Sequence, residues 1–131
     1  RIGWMYWGYK DWTDVPGGAG DGGLFDDDDD NRTLRDAKLD VLSEPYPMAV
    51  AGTPETYGYD PDTRTFTLNY TPDPAIAAPT LVFTAPRQYP GGYRVEIDGG
   101  RIVSADGAAV LVVQALPGAA TVRVSLQAAT L

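Results

Sequence analysis

From Pro54 onward the apolar residues recur at every second position, and this change of period decides what most of the chain can become. In Thr65-Phe66-Thr67-Leu68-Asn69-Tyr70-Thr71 the even-numbered side chains are large and apolar and the odd-numbered ones polar. A strand with that pattern buries one face and wets the other. Asp60-Pro61-Asp62 just before it is a strong turn signal, so Thr56–Tyr59 and Arg64–Thr71 are expected to pair as an antiparallel hairpin. Further strands are expected at Thr80–Thr84, Tyr93–Asp98, Arg101–Ser104, Ala109–Gln114 and Thr121–Gln127. Turns fall between them at Pro90–Gly92, Gly99–Gly100, Asp106–Gly107 and Pro117–Gly118. Short strands at close intervals with no helix between them predict a β-sandwich of about seven antiparallel strands.

The residues before this pattern follow a different rule. Ile2–Tyr9 is rich in Trp, Tyr, Ile and Met with little charge, which favours a short strand buried on at least one side. Val15–Asn31 combines a Pro/Gly-rich start with the unbroken run Asp26–Asp30 and reads as a solvated loop. A calcium loop alternates its oxygen ligands around a defined turn, and five adjacent aspartates do not, so the run reads as a self-repelling solvated segment. Asn31-Arg32-Thr33 matches the glycosylation acceptor pattern, which carries weight only in a secretory context. Thr33 offers a cap hydroxyl, and Leu34, Ala37, Val41 and Leu42 make one apolar stripe, predicting a helix from Leu34 to about Ser43. Pro45 and Pro47 stop it. The boundary between the two regions is placed between Pro47 and Thr53, giving segments 1–48 and 49–131.

Composition removes several classes of function. Eighteen Asp and Glu against ten Lys and Arg give a formal charge of -8, which repels nucleic acid and anionic membrane surfaces. No stretch approaches 18 consecutive apolar residues, so no transmembrane helix is expected. Cysteine and histidine are both absent, which excludes disulfides, thiol chemistry, Ser-His-Asp and Cys-His catalysis, and imidazole-dependent zinc sites. Remaining chemistry would rest on carboxylates, hydroxyls, Lys, Arg or aromatic rings. The chain is also too short for a complete eight-fold barrel of about 250 residues, and its abrupt aromatic start suggests a cut through a larger protein.

Three stretches in order carry a family resemblance: GWMYWGYKDW at Gly3–Trp12, LRDAKLDVLSEPYPMAVAGTP at Leu34–Pro54, and YGYDPDTRTFTLNYT at Tyr57–Thr71 followed by YPGGYRVEIDG at Tyr89–Gly99. Together they cover roughly half the chain. They resemble the C-terminal region of actinobacterial endoglycoceramidases and related glycosylceramidases of glycoside hydrolase family 5. The resemblance implies an intact enzyme built as a β/α barrel followed by a small β-sandwich, with Gly3–Lys10 as the last barrel strand and Leu34–Ser43 as the last barrel helix. It implies a retaining hydrolase that cleaves the β-glycosidic bond between a sugar or oligosaccharide and ceramide. Its two catalytic glutamates would lie on strands outside this sequence, on the same or a separate polypeptide carrying the rest of the barrel. No cofactor or metal is implied, and the location would be secreted or cell-associated.

The residues themselves agree that the chain carries no catalytic pair. Its only glutamates are Glu44, Glu55 and Glu96, expected at a helix end, at the boundary and on a solvent face mid-strand. What the chain is expected to contribute is a wall of the sugar site. The resemblance assigns sugar stacking to Trp7, a role that suits a flat indole under the apolar face of a pyranose. Tyr9 and Lys10, at the same strand end, are expected to hydrogen-bond a hydroxyl, and Trp12 to stand at the lipid side. Leu24 and Phe25 either contact ceramide or anchor their own loop. The competing reading is a non-catalytic carbohydrate-binding or structural sandwich. It requires a row of exposed rings from among Tyr57, Tyr59, Phe66, Tyr70, Tyr89 and Tyr93, of which Phe66 and Tyr70 already read as core.

Overall fold

The computed structural model describes residues 23–25 and 33–129. The chain divides into two compact units, Arg1–Leu42 and Ser43–Leu131.

In the first unit, Phe25 and Leu34 form an antiparallel bridge, reinforced by the Arg35 amide donating to the Leu24 carbonyl at 2.8 Å. The helix α1, Asp36–Leu42, follows. It starts later than its sequence predicts because Leu34 is committed to the bridge. The Arg35 carbonyl accepts the first helical bonds, from Lys38 and Leu39 at 3.0 and 3.1 Å, so Arg35 and not Thr33 stands at the cap position. Both Arg35 Nη1 and Lys38 Nζ donate to the Gly23 carbonyl, at 3.3 and 3.2 Å, tying the helix start to the preceding loop. The expected apolar stripe is not buried: α1 has no buried residue and Val41 is 66% exposed.

The second unit is the predicted sandwich, with eight strands in two four-stranded sheets. These strands are β1 (Tyr46–Ala49), β2 (Gly52–Asp60), β3 (Thr65–Pro72), β4 (Thr80–Phe83), β5 (Tyr93–Asp98), β6 (Gly100–Ile102), β7 (Val110–Ala115) and β8 (Val122–Ala128). Sheet I has the order β1-β4-β7-β6 and sheet II the order β2-β3-β8-β5, and every neighbouring pair is antiparallel. The strand the sequence hides is β1, because Pro47 reads as a helix stop rather than as part of a strand. Proline lacks the ladder donor and is confined to edges and bulges. Both conditions hold here: β1 is an edge strand and its register shifts between Pro47 and Ala49. Pro54 repeats the device in β2, the edge of sheet II, with a shift between Pro54 and Thr56. Tyr46–Ala49 is therefore a strand of sheet I, paired with β4.

The predicted hairpin forms as β2 and β3, paired from Gly52↔Pro72 to Asp60↔Thr65. Its four-residue turn is closed by Asp60, whose carboxylate accepts from the Asp62 amide at 3.0 Å and the Thr63 hydroxyl at 2.7 Å. Phe66, Leu68 and Tyr70 of β3 and Val122, Val124 and Leu126 of β8 meet Val82 of β4 and Leu111 and Val113 of β7 in one core, each no more than 2% exposed. Burying a side chain of this size contributes about 1.5–3 kcal/mol. Gly99 alone links β5 of sheet II to β6 of sheet I. Its φ is +68°, and a Cβ there would lie 2.1 Å from the Thr121 carbonyl oxygen, so no larger residue can make this crossing.

The register makes a direct prediction. Leu68→Ala should lower the unfolding free energy by about 2–5 kcal/mol, whereas Thr67→Ala, one residue along on the outward face, should stay within about 0.5 kcal/mol. Urea unfolding of the two variants checks this, and equal losses would contradict the assigned faces.

Candidate functional site

The four residues expected to meet substrate, Trp7, Tyr9, Lys10 and Trp12, lie outside the described residues, as do the Ile2–Tyr9 strand and the Asp26–Asp30 run. Phe25 is described, and it is 9% exposed with its backbone bridged to Leu34. That geometry is the loop-anchoring alternative rather than a projecting lipid contact. Leu24 beside it is half-buried.

Carboxylates among the described residues are arranged for structure. Glu55 lies in β2 rather than at a junction and accepts from the Thr71 hydroxyl at 2.6 Å. Glu96 is exposed in the middle of β5, as expected. These strands are the opposite edges of sheet II, so three strand spacings, about 14 Å, separate them. A retaining pair needs about 5–5.5 Å and an inverting pair about 6.5–9.5 Å. Asp60 is spoken for by its turn: the hydrogen bonds from the Thr63 hydroxyl and the Asp62 amide hold its carboxyl below the usual range, which makes it a poor proton donor. Among the described residues no three His, Cys, Asp or Glu side chains gather closely enough to hold a metal ion.

The tyrosines that would have to form a sugar-binding platform are instead built into the sandwich. Phe66 and Tyr70 are fully buried and Tyr89 is 3% exposed. Tyr59 and Tyr93 flank Tyr89, with ring centroids at 6.4 and 5.8 Å. The Tyr59 hydroxyl donates to Gln88 Oε1 at 2.9 Å and the Tyr93 hydroxyl to the Ala108 carbonyl at 2.6 Å. Burial pushes the Tyr70, Tyr89 and Tyr93 hydroxyls upward, so all three stay neutral at ordinary pH. The Tyr70 hydroxyl faces Thr80 and the Tyr89 hydroxyl faces the Phe66 backbone, but neither closes a hydrogen bond of full geometry. Tyr57 remains exposed on β2, and Tyr46 is exposed on β1 of the other sheet. Two rings on different sheets are no platform.

One open groove of about 660 Å³ lies between the loop after β3 and the turn after β7, lined by Ile76, Ala78, Pro79, Leu116 and Pro117 with Asp73 and Arg101 at its polar side. It has the volume of a ligand site but no aromatic wall. Its residues went unread in the sequence because Pro, Ala and single aliphatics in a loop give no periodic signal.

The match to a family model decides the affiliation. Residues 45–125 match the glycoside hydrolase family 5 C-terminal domain. The chain belongs to this family. This family 5 C-terminal domain is also 40% identical over 74 residues to endoglycoceramidase I of Rhodococcus hoagii, a match covering 56% of the chain and 15% of the relative. Among solved structures it is similar to endo-glycoceramidase II from Rhodococcus sp. in its lactosyl-enzyme intermediate. The TM-score is 0.64 and the identity 30%, over 91% of this chain and 25% of that one. Sterylglucosidase 1 of Cryptococcus neoformans shares the fold, with a TM-score of 0.51 and 17% identity over 65% of this chain and 14% of that one. The family 5 domain thus spans about a quarter or less of the length of these relatives.

The buried tyrosines give a pH prediction. A raised hydroxyl means the unfolded chain ionises first as pH climbs. The contribution of Tyr89 to stability is therefore complete below the ordinary tyrosine range and lost as pH rises through and beyond it. Tyr89→Phe should flatten that alkaline decline in a stability-versus-pH series. At pH 7 the variant should be at least as stable as the parent, since it removes an unpaired buried hydroxyl. A steeper alkaline loss in the variant would refute this.

Proposed function

We propose that this chain is the C-terminal portion of a retaining glycoside hydrolase that cleaves the β-glycosidic bond between a sugar or oligosaccharide and ceramide. The observation that carries the reading is the 30% identity over 91% of the chain to endo-glycoceramidase II from Rhodococcus sp., a protein solved with ganglioside GM3 and as a lactosyl-enzyme intermediate. A glycosyl–enzyme intermediate belongs to the double-displacement route. There one carboxylate attacks the anomeric carbon while the other protonates the leaving oxygen, then activates water to release the sugar.

The separation of Glu55 from Glu96 and the commitment of Asp60 to its turn support placing both catalytic carboxylates outside this chain, in the remainder of a barrel on the same or a separate polypeptide. The part proposed for this chain is the sugar wall. Trp7 stacks beneath the pyranose, where a rigid ring orients the reacting carbon at small entropic cost. Tyr9 and Lys10 donate hydrogen bonds to a sugar hydroxyl, and Trp12 stands on the ceramide side. The sandwich buttresses the barrel without touching substrate, in keeping with tyrosines that are buried rather than presented. A secreted or cell-associated location is part of the same proposal.

In the intact hydrolase, Trp7→Ala should lower kcat/KM for a glycosylceramide by about 10²-fold, with the thermal transition nearly unmoved. Hydrolysis assays with a lactosyl ceramide, run beside thermal unfolding, check both halves. Equal loss of folding and activity would remove the stacking role, and an intact protein inactive on every glycosylceramide would remove the substrate.

A further inference from the structure

The two outer faces of the sandwich are chemically unlike. In sheet II the outward positions are Thr67, Asn69, Arg123, Ser125, Glu96 and Asp98, matched in register as Thr67↔Ser125↔Glu96 and Asn69↔Arg123↔Asp98. These rows are polar or charged from strand to strand, as expected of a wet sheet face. In sheet I the buried alternates are Val82 of β4 and Leu111 and Val113 of β7, so the residues between them point outward. Those form one row, Tyr46↔Phe83↔Val110, and a second in which Leu81 pairs with Val112 and the Val103 amide donates to the Val112 carbonyl at 2.9 Å. All six are apolar. The Tyr46 and Phe83 rings pack at a tilt, with centroids 5.5 Å apart, and Tyr46, Met48 and Val103 are 47, 52 and 50% exposed. The next row is polar, Arg101 spanning Gln114 through Nε and Nη2 at 3.1 and 2.6 Å, and closes the patch on that side.

A sheet apolar on both faces is one covered on both faces. Rows about 7 Å apart across four strands at about 4.8 Å spacing make a flat patch of roughly 300 Å². This is the lower end of one side of an interdomain interface. A body large enough to cover it exists in the relatives, whose solved chains extend about three-quarters beyond the match. We propose that this outward face of sheet I, centred on Phe83 and Val112, is the surface by which the sandwich docks on the apolar flank of the catalytic body. The inference rests on the reading above that the chain is one part of a larger hydrolase. It adds which face is used, and therefore that sheet II, with its rows of Thr, Arg and Glu, faces water. A flat sheet in a chain of charge -8 is poorly suited to an anionic lipid surface, and a second copy is the remaining occupant to test.

Hydroxyl-radical footprinting of the intact hydrolase reads this directly, with each rate normalised to that of the denatured protein. Tyr46 and Met48 are as exposed in the sandwich as Tyr57 and Leu116, so without a cover the four should react alike. Docking predicts Tyr46 and Met48 at least about fivefold slower than the reference pair in monomeric protein. Equal rates overturn the proposal. So does protection confined to a dimeric fraction, which assigns the face to a second copy, or protection that appears only with phosphatidylcholine vesicles, which assigns it to lipid. In the same protein Val112→Lys should lower the thermal transition by about 5 °C or more while Ser125→Lys, its counterpart on sheet II, leaves it nearly unchanged, and equal shifts count against docking. Because the footprint does not depend on turnover, protection in a protein that hydrolyses no glycosylceramide would sink the proposed substrate and leave the docking face standing.

Discussion

Everything in the sandwich depends on the meeting of β3 and β8 with β4 and β7. These are the two central strands of each sheet, and their inward side chains supply every core residue that is no more than 2% exposed and apolar, apart from Ala85. Because side chains alternate across a strand, a slip of one residue in any central strand would exchange Leu68 for Thr67 or Val124 for Arg123 at the core. The pairing Leu68↔Val124 is therefore fixed by burial on one side and polarity on the other. Edge strands inherit that register and can carry proline and bulges without cost to the centre.

A core assembled this way gives its buried threonines structural tasks. Thr80 and Thr84 are fully buried, and their hydroxyls satisfy backbone groups: Thr80 Oγ1 accepts from the Ala51 amide at 2.9 Å, and Thr84 Oγ1 reaches the Ala108 and Ala109 carbonyls at 3.1 Å. The first holds the crossover from β1 to β2, and the second holds the loop before β7. Tyr93 shares the Ala108 carbonyl. Buried hydroxyls committed to backbone partners stiffen corners and are unavailable to a substrate. The edge-to-edge separation of Glu55 and Glu96 is likewise a consequence of strand order rather than an accident of side-chain placement.

How much of this could be read in the chain follows from where a local rule applied. Alternation in Thr65–Thr71 exposes both the strand and its faces. Asp60-Pro61-Asp62 marks the turn through the hydrogen bonds an aspartate makes two residues on, and the glycine at 99 marks a crossing only glycine can make. What misleads is proline: Pro47 obeys the rule for stopping a helix and equally the rule for an edge strand, and only the partner, Val82, decides between them. Thr33 misleads for a similar reason, since a cap hydroxyl is worth little once Leu34 is bridged to Phe25. The proposed sugar wall of Trp7, Tyr9, Lys10 and Trp12 owes its legibility to resemblance alone, because no periodicity distinguishes a stacking tryptophan from a packed one.

The contrast between the sheets was also written in the chain, in a form that strand prediction passes over. Val110-Leu111-Val112-Val113 and Leu81-Val82-Phe83 are strands without alternation, whereas Thr65–Thr71 and Val122–Gln127 alternate. Both kinds are predicted as strands, and the difference concerns only the second face. A continuous apolar run puts apolar side chains on the outward face as well as the inward one, and there Leu81, Phe83, Val110 and Val112 are only half-buried. The same eight strands therefore specify a fold and leave one of its layers with an apolar outer face. Such a face fits the docking proposed for a C-terminal family 5 domain that spans a quarter or less of its relatives' length: its stability is set internally by β3, β4, β7 and β8, and the proposed contact uses the side chains those strands do not bury.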